Sequence, residues 1–413
     1  MYSILSLARI FMLSNILPYY QTSDGIFTTY QADTMRLLGE MDTQFDMIFA
    51  DPPYFLSKGF TIRKGDYVKC FDKGDWDRQR SPEEVDEFNM RWLSLCRQRL
   101  KDSGTIWASG TYHNIYSVAN CMVQLGYKIL NVIVWQKPNA PLTLSDMHFN
   151  FSAEYIIWAR KNKSIPHFFN YDLMNQLNGG IRMSDVWSIP TVEMWEKHFG
   201  KHPTQKPLRL LYRIILASTR PGEFILDPFA GSCTTGIAAN LLGRRFVGVD
   251  QDEHFLYMGR QRCEEMINPV IAQKMLERMS VSGEEPMVVV NHARTGLREK
   301  MIEQGICYLR AGNSKGSLLV KPGFERLQYV LLHTGGDNCQ MFRLRTKGHF
   351  QIWTRETLEN YGFHPEHASY YIVLHFDNKE AINIVQQSDL KQGVYTYQAK
   401  IRPISDFTVL NSL

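Results

Sequence analysis

The chain has 413 residues and 48.0 kDa, with 44% hydrophobic, 12% aromatic and 21% charged side chains, a globular composition that excludes disordered and collagen-like classes and suggests two or three domains. Its net charge of +4 is split evenly between residues 281–413 and the remainder, which excludes a basic tail or acidic arm and confines any phosphate-binding surface to a local patch. Seven scattered cysteines without a C-x-x-C pair read as reduced thiols of a cytoplasmic protein, not as a disulfide or zinc framework.

Residues 1–24 read as an N-terminal leader. The first twenty are apolar, but Arg9 and Asn15 interrupt them, against both a signal peptide and a membrane span, and Met12 offers a second start. From residue 25 to about 268, β-rich runs alternate with helical patterns. Strands are expected at 26–30, 45–50, 104–109, 129–135, 155–159, 223–226 and 245–249, and helices at 85–100, 114–125, 207–217 and 234–242. That alternation predicts an α/β fold on a mostly parallel sheet. Residues 57–80, with Gly59, Gly65, Gly74 and five basic side chains before Asp75-Trp76-Asp77, read as a lid. Residues 138–202 read as an inserted recognition segment. A helical stretch to residue 279 and a linker at 282–286 then precede residues 287–413, a separate, smaller α+β domain with strands at 327–332, 350–354 and 370–376.

Two places carry chemistry. The strand at 45–50 ends in Asp51-Pro52-Pro53-Tyr54, at a carboxyl end where α/β sheets bind ligands. Two prolines fix φ and remove donors, so the Asp51 side chain and the proline carbonyls form a rigid acceptor site that wants an N–H donor. The exocyclic amine of a base offers two, with Tyr54 placed to stack on a base that has left its duplex. Read alone, the tetrapeptide also fits a proline-terminated strand with an exposed acid.

The second place is Asp227-Pro228-Phe229-Ala230-Gly231-Ser232-Cys233-Thr234-Thr235-Gly236, between a strand and a helix, with Asp250 ending the next strand. Ile237 stands where a phosphate loop needs lysine, and Cys233 breaks G-x-G-x-x-G. What remains is a close backbone approach at Gly231 and a carboxylate at Asp250 suited to ribose hydroxyls, which favours an adenosine bearing a methionine tail over NAD.

Taken together, the two motifs resemble the β-class S-adenosylmethionine-dependent DNA adenine (N6) methyltransferases of restriction-modification systems. The order matches, acceptor motif first and glycine loop second. Ala32-Asp33, Gly200-Lys201-His202-Pro203-Thr204-Gln205-Lys206-Pro207, Asp72-Lys73-Gly74-Asp75-Trp76-Asp77, the segment from Ser109 to Tyr116 and Trp135-Gln136-Lys137 also resemble members that act on GATC or GANTC sites. The likeness spans about residues 25–268 and departs at Cys233, where the family usually has glycine.

The resemblance implies a Rossmann-like methyltransferase domain over 25–280 that transfers a methyl group to a flipped adenine. Catalytic roles fall to Asp51, Pro52, Pro53 and Tyr54, with Phe55 also against the base. S-adenosylmethionine is implied as cofactor, with Asp33 at its adenine, Asp250 at its ribose, and Asp227, Phe229, Gly231, Ser232, Thr204, Gln205 and Lys206 around its methionine. Phosphate contacts are expected from Lys58, Arg63, Lys64, Lys73 and Arg182, and base reading from Asn175, Gln176 or Arg182. Implied partners are double-stranded DNA, a homodimer mate and a cognate restriction endonuclease. No metal and no membrane are expected. Residues 287–413 are a candidate DNA-contacting domain by position. Cytosine amino-methylation, an RNA substrate, a catalytically weak DNA-binding regulator and a nicotinamide oxidoreductase are the competing readings. The leading Asp51 argues against cytosine, and the failed dinucleotide motif against the oxidoreductase.

Overall fold

The computed structural model describes residues 16–57, 61–64, 67–70, 77–141, 147–267, 285–314, 317–321, 323–334, 339–345, 350–365, 368–379, 381–385 and 399–409. It divides into two compact units, Met1–Asn170 with Ser184–Arg260, and Tyr171–Met183 with Gln261–Leu413.

In the first unit, β1 (Tyr20–Gln21) and β2 (Phe27–Gln31) precede α1 (Thr34–Glu40) and β3 (Phe45–Ala50). A hairpin of β4 (Thr61–Lys64) and β5 (Tyr67–Cys70) leads to α2 (Pro82–Arg99), β6 (Leu100–Gly110), α3 (Ile115–Gln124), β7 (Lys128–Gln136) and β8 (Ala153–Arg160). Past α4 (Tyr171–Leu177), which belongs to the second unit, come β9 (Val186–Ser188), α5 (Leu208–Ser218), β10 (Phe224–Asp227), α6 (Thr234–Leu241), β11 (Arg245–Asp250) and α7 (Glu253–Ile267), whose residues from Gln261 onward are counted with the second unit.

These strands form a nine-stranded sheet in the order β1-β2-β11-β10-β3-β6-β8-β7-β9. The five from β2 to β6 run parallel, while β1 and β8 oppose their neighbours. Central strands of this kind are covered on both faces, so Met47, Ile48, Phe49 and Ala50 of β3 are all buried. Helix α2 starts with a capping box, in which the Ser81 side chain accepts from Glu84 N and Glu84 reaches back to Ser81 N, with Pro82 in its first turn. Trp92, Leu93 and Cys96 of α2 then pack on the sheet.

From β10 the chain turns outward through α6 to β11, and from β3 it turns the other way through α2 to β6. The β10–β3 boundary is therefore the topological switch point, where the loops after both strands diverge and open a crevice. The acceptor motif and the glycine loop are those two loops.

Three features differ from the sequence reading. The expected lid contains the hairpin β4–β5. Helix α1 was not expected; its seven residues are too few to show a period, and Asp33 caps it by accepting from Arg36 N at 2.9 Å. The first unit closes at Arg260 where the sequence suggested 280, and Tyr171–Met183, from the middle of the expected recognition segment, joins the second unit. The expected helix to residue 279, residues 1–15 and most of the linker lie outside the described residues.

The second unit is α+β. A mixed six-stranded sheet takes in β12 (Met287–His292), β14 (Leu327–His333), β15 (Cys339–Arg343), β18 (Ile382–Val385), β19 (Lys400–Pro403) and β20 (Thr408–Val409), in the order β19-β12-β14-β15-β18-β20. A second sheet has β13 (Ile306–Arg310), β17 (Tyr370–His375) and β16 (Gln351–Thr354), with helices α8 (Thr295–Gln304) and α9 (Arg355–Asn360). Helix α4 is bound to it because the Gln176 amide both donates to Tyr370 O (2.7 Å) and accepts from Tyr370 N (3.2 Å). Leu173, Met174 and Leu177 are buried.

Candidate active site

Where β3 ends, each oxygen of the Asp51 carboxylate accepts one hydrogen bond. Tyr54 Oη donates to Oδ1 at 2.6 Å and Lys206 Nζ to Oδ2 at 2.5 Å. Tyr54 Oη also lies 3.2 Å from Ser109 Oγ at the end of β6. Burial, with Asp51 next to it, pushes the Tyr54 phenol well above its usual value, so it stays a protonated donor. Burial opposes the charge on Lys206, but Asp51 and then Glu154 outweigh it and hold the ammonium above its usual value.

Glu154, at the start of β8, extends this group. Its Oε1 accepts from Lys137 Nζ at 2.6 Å, and its Oε2 stands 3.8 Å from Lys206 Nζ. That Oε2 is buried and accepts no hydrogen bond among the described residues. Two carboxylates and two ammonium groups thus alternate, Asp51, Lys206, Glu154, Lys137. Isolated buried charges are costly, and alternation keeps this cluster neutral overall.

The backbone after the prolines is held by Asp77. Tyr54 N and Phe55 N both donate to its Oδ1, at 2.9 and 2.7 Å, and Ser57 Oγ donates to Oδ2 at 3.0 Å. Asp77 is fully buried. This clamp keeps Phe55 at φ +56°, a left-handed conformation that costs a side-chain-bearing residue about 1–2 kcal/mol. The turn aims the Phe55 ring at Phe88 (edge-on, 5.1 Å) and under Arg80, whose guanidinium is 4.3 Å from the ring centre.

Across the crevice, the Asp227 carboxylate accepts from Phe229 N (3.0 Å) and Thr235 Oγ1 (2.5 Å), cross-bracing the glycine loop. Burial pushes its carboxyl up to about 7 although those bonds favour ionisation. Gly231 has φ +49°, and its N–H donates to Asp250 Oδ2 at 2.8 Å. A Cβ there would lie 2.9 Å from His202 Nε2, so this loop position accepts only glycine without displacing His202. Cys233 is also left-handed, at φ +57°, which explains why glycine suits this position. Its sulfur is fully buried toward Gly259 of α7 and is absent from the cavity wall, so the thiol does not narrow the crevice.

The two loops share one cavity of about 860 Å³. Asp51, Pro53 and Phe55 line one part of it, and Phe229, Gly231 and Asp250 another, with Asp33, Thr204 and His202 also in the wall. Pro52, Tyr54, Gln205, Lys206, Asp227 and Ser232 are buried and not in the lining set. Gln205 donates to Glu196 O (3.0 Å) and accepts from Ser232 Oγ (3.2 Å). The structure therefore keeps these six expected site residues behind the cavity wall, and two of their side chains take other partners than the sequence reading gave them. Tyr54, expected to stack on a base, spends its hydroxyl on Asp51 while Phe55 faces the cavity. Lys206, expected at the methionine wall, is bonded to Asp51.

Of the expected DNA contacts, Arg63 and Lys64 lie on β4, and Lys58 and Lys73 fall outside the described residues. Arg182 sits in the second unit, 5.4 Å from the Tyr171 ring centre, and Gln176 has both ends of its amide engaged by Tyr370. Glu154 was not singled out by sequence, Ser109 entered only as the first residue of a segment resembling the family, and no role was assigned to Asp77. The signal for Glu154 is a carboxylate within the apolar run Ala153 to Ala159.

A family described as DNA methylase, covering the N6 and N4 enzymes, matches residues 45–261. Type II methyltransferase M2.MboI of Moraxella bovis is 47% identical over 265 residues, 64% of this chain and 97% of its own length. M2.DpnII of Streptococcus pneumoniae is 51% identical over 249 residues, 60% of this chain and 92% of its own. The solved M1.HpyAVI-SAM complex aligns with a TM-score of 0.45 and 22% identity over 57% of this chain and 98% of that chain. The matched span holds both loops, the switch point and the cavity between them, and the chain belongs to the DNA methylase family.

Proposed function

We propose that this protein transfers a methyl group from S-adenosylmethionine to the N6 amine of an adenine turned out of duplex DNA at a short specific site, as the modification enzyme of a type II restriction-modification system. The observation that carries the reading is the meeting of Asp51, Gly231 and Asp250 in one cavity at the switch point. Its size falls in the range of about 300–1,000 Å³ usual for small-molecule sites. Carboxylates at Asp33 and Asp250 beside Met35, Phe229 and Phe255 suit a ligand with polar and apolar parts, so the residues present fit the cofactor. When bound, S-adenosylmethionine supplies an electrophilic methyl group on a sulfonium.

The chain does the rest by positioning. Asp51 and the Pro52 carbonyl accept the two N–H groups of the amine, which turns the nitrogen lone pair toward the methyl group. Lys206 holds Asp51 Oδ2 beforehand, so an incoming amine replaces it, and Glu154 Oε2, which accepts no hydrogen bond among the described residues, is within reach of the displaced ammonium. Phe55 packs on the extruded ring, and Tyr54 fixes Asp51 from behind. The aspartate that opens the tetrapeptide favours adenine over cytosine. The reading extends to a cytoplasmic protein with a partner endonuclease of the same specificity and a homodimeric state. Among the described residues no helix is long and apolar enough to cross a membrane.

Single-molecule sequencing of DNA from a methylation-free bacterial host tests the reaction. N6-methyladenine at one short motif is expected with the wild type and none with Asp51→Ala. N4-methylcytosine instead would move the target base, and unmodified DNA beside well-folded protein would sink the proposal.

A further inference from the structure

The first unit exposes a group of aromatic side chains that no step above uses. Tyr112 and Phe151 stack at 5.0 Å with their rings 12° from parallel, His113 lies 3.8 Å from Tyr112, and His148 lies 5.0 Å from Phe151. Around this stack the chain leaves Phe149 97%, Met147 94% and Tyr116 71% exposed. Apolar side chains concentrated in this way on a soluble surface mark a binding site more often than chance decoration.

Its place in the fold identifies the occupant. Strands β6 and β8 pair antiparallel, with Gly110 opposite Tyr155, so the end of β6 and the start of β8 lie side by side. Ser109 of β6 meets Tyr54, and Glu154 of β8 meets Lys206, both around Asp51. Tyr112 is three residues beyond Ser109 and Phe151 three residues before Glu154. The stack therefore grows from the same two strand ends that carry the groups around Asp51. A tight turn sets its direction, because Asn114 Oδ1 accepts from Thr111 N at 3.0 Å and leaves no room for a Cβ at Gly110. Residues 111–117 and 147–153 contain no carboxylate, so nothing in them repels a phosphate chain.

We infer that this aromatic group is a stacking platform for DNA bases next to the target nucleotide, and that Phe149 and Tyr116 press on the base stack left open when the target leaves it. Extrusion breaks stacking on both sides of the departing base, and an inserted apolar wedge restores part of it. The inference rests on the proposed reaction at an extruded base.

The test uses the full chain carrying Phe149→Ala, Tyr116→Ala or both, side chains exposed enough to leave folding intact, with Phe149→Trp as the conservative variant. Duplex oligonucleotides with 2-aminopurine at the target position report binding and extrusion. Stacking is worth about 1–3 kcal/mol per base, so the double variant should weaken DNA binding by roughly tenfold or more while S-adenosylmethionine affinity stays within twofold. Phe149→Trp should retain binding, and the deficit should shrink on a duplex whose target is already mismatched. DNA affinity within twofold of wild type would overturn the inference, as would a change in oligomeric mass on gel filtration that accounts for the loss. Wild-type protein that methylates no DNA would count against the proposed reaction itself, a separate failure read in the control lane.

Discussion

At Cys233 a residue with a β-carbon occupies a left-handed position, and its sulfur fills space against α7. A Cβ on Gly259 would approach that sulfur to 2.5 Å. Gly259→Ala should therefore lower the chemical-denaturation midpoint, by about 1–3 kcal/mol of overpacking. Cys233→Gly in the same chain should restore most of the loss, with cofactor affinity unchanged in every variant because the thiol is off the cavity wall. Lys206 carries a second expectation at this scale. Removing it by Lys206→Met leaves Asp51 and Glu154 facing each other without the ammonium between them, a loss of about 3–5 kcal/mol when a buried pair is broken. A double-mutant cycle with Asp51→Asn should recover part of that loss. Additive effects in the cycle would count against a coupled pair.

At the scale of elements, the glycine loop between β10 and α6 carries a pH dependence through Asp227. Its folded value of about 7 lies above the roughly 3.9 of an unfolded aspartate, so between those values the native state keeps a proton that the unfolded chain has released. Stability contributed by that proton is complete below about pH 4 and is lost as pH rises to about 7, with little further change above. Asparagine imitates the protonated acid. From pH 5 to pH 8 the urea midpoint of wild type should therefore fall more than that of Asp227→Asn, and parallel profiles would show that the loop does not hold the proton. The elements themselves were readable where period and length agreed. Strand β3 was expected at 45–50 and is observed there, and α5 is displaced by one residue. Helix α1 and the hairpin β4–β5 were not expected: seven residues give α1 about two turns, too few for a period, and the four-residue strands at 61–64 and 67–70 are interrupted by Arg63, Lys64 and Lys69, unlike the equally short but mostly apolar β10.

For the whole molecule, the division into units cuts across chain order. Helix α4 lies between β8 and β9 in sequence but belongs to the C-terminal unit, with Leu173, Met174 and Leu177 buried and Gln176 tied to Tyr370. A chain truncated after residue 268 loses Tyr370 and with it the tie to α4, so increased dye binding to apolar surface and a lower melting temperature than the full chain are expected. Equal dye binding and equal melting would mean that the α4 contacts contribute little. The relatives match only 64% and 60% of this chain, so such a truncation also tests what the additional unit adds.

Local sequence alone determined the alternation of strands and helices, the Asp51 and Gly231 loops and the chemistry they suit, because prolines, glycines and strand ends act within a few residues of themselves. It also supplied the family resemblance. Only the tertiary structure decided that Lys206 rests on Asp51 across 155 positions, that Glu154 Oε2 beside it accepts no hydrogen bond among the described residues, and that Asp77 holds the backbone of Tyr54 and Phe55. Buried charges and backbone donors must find partners wherever packing brings them, and no local pattern records which distant residue will be there.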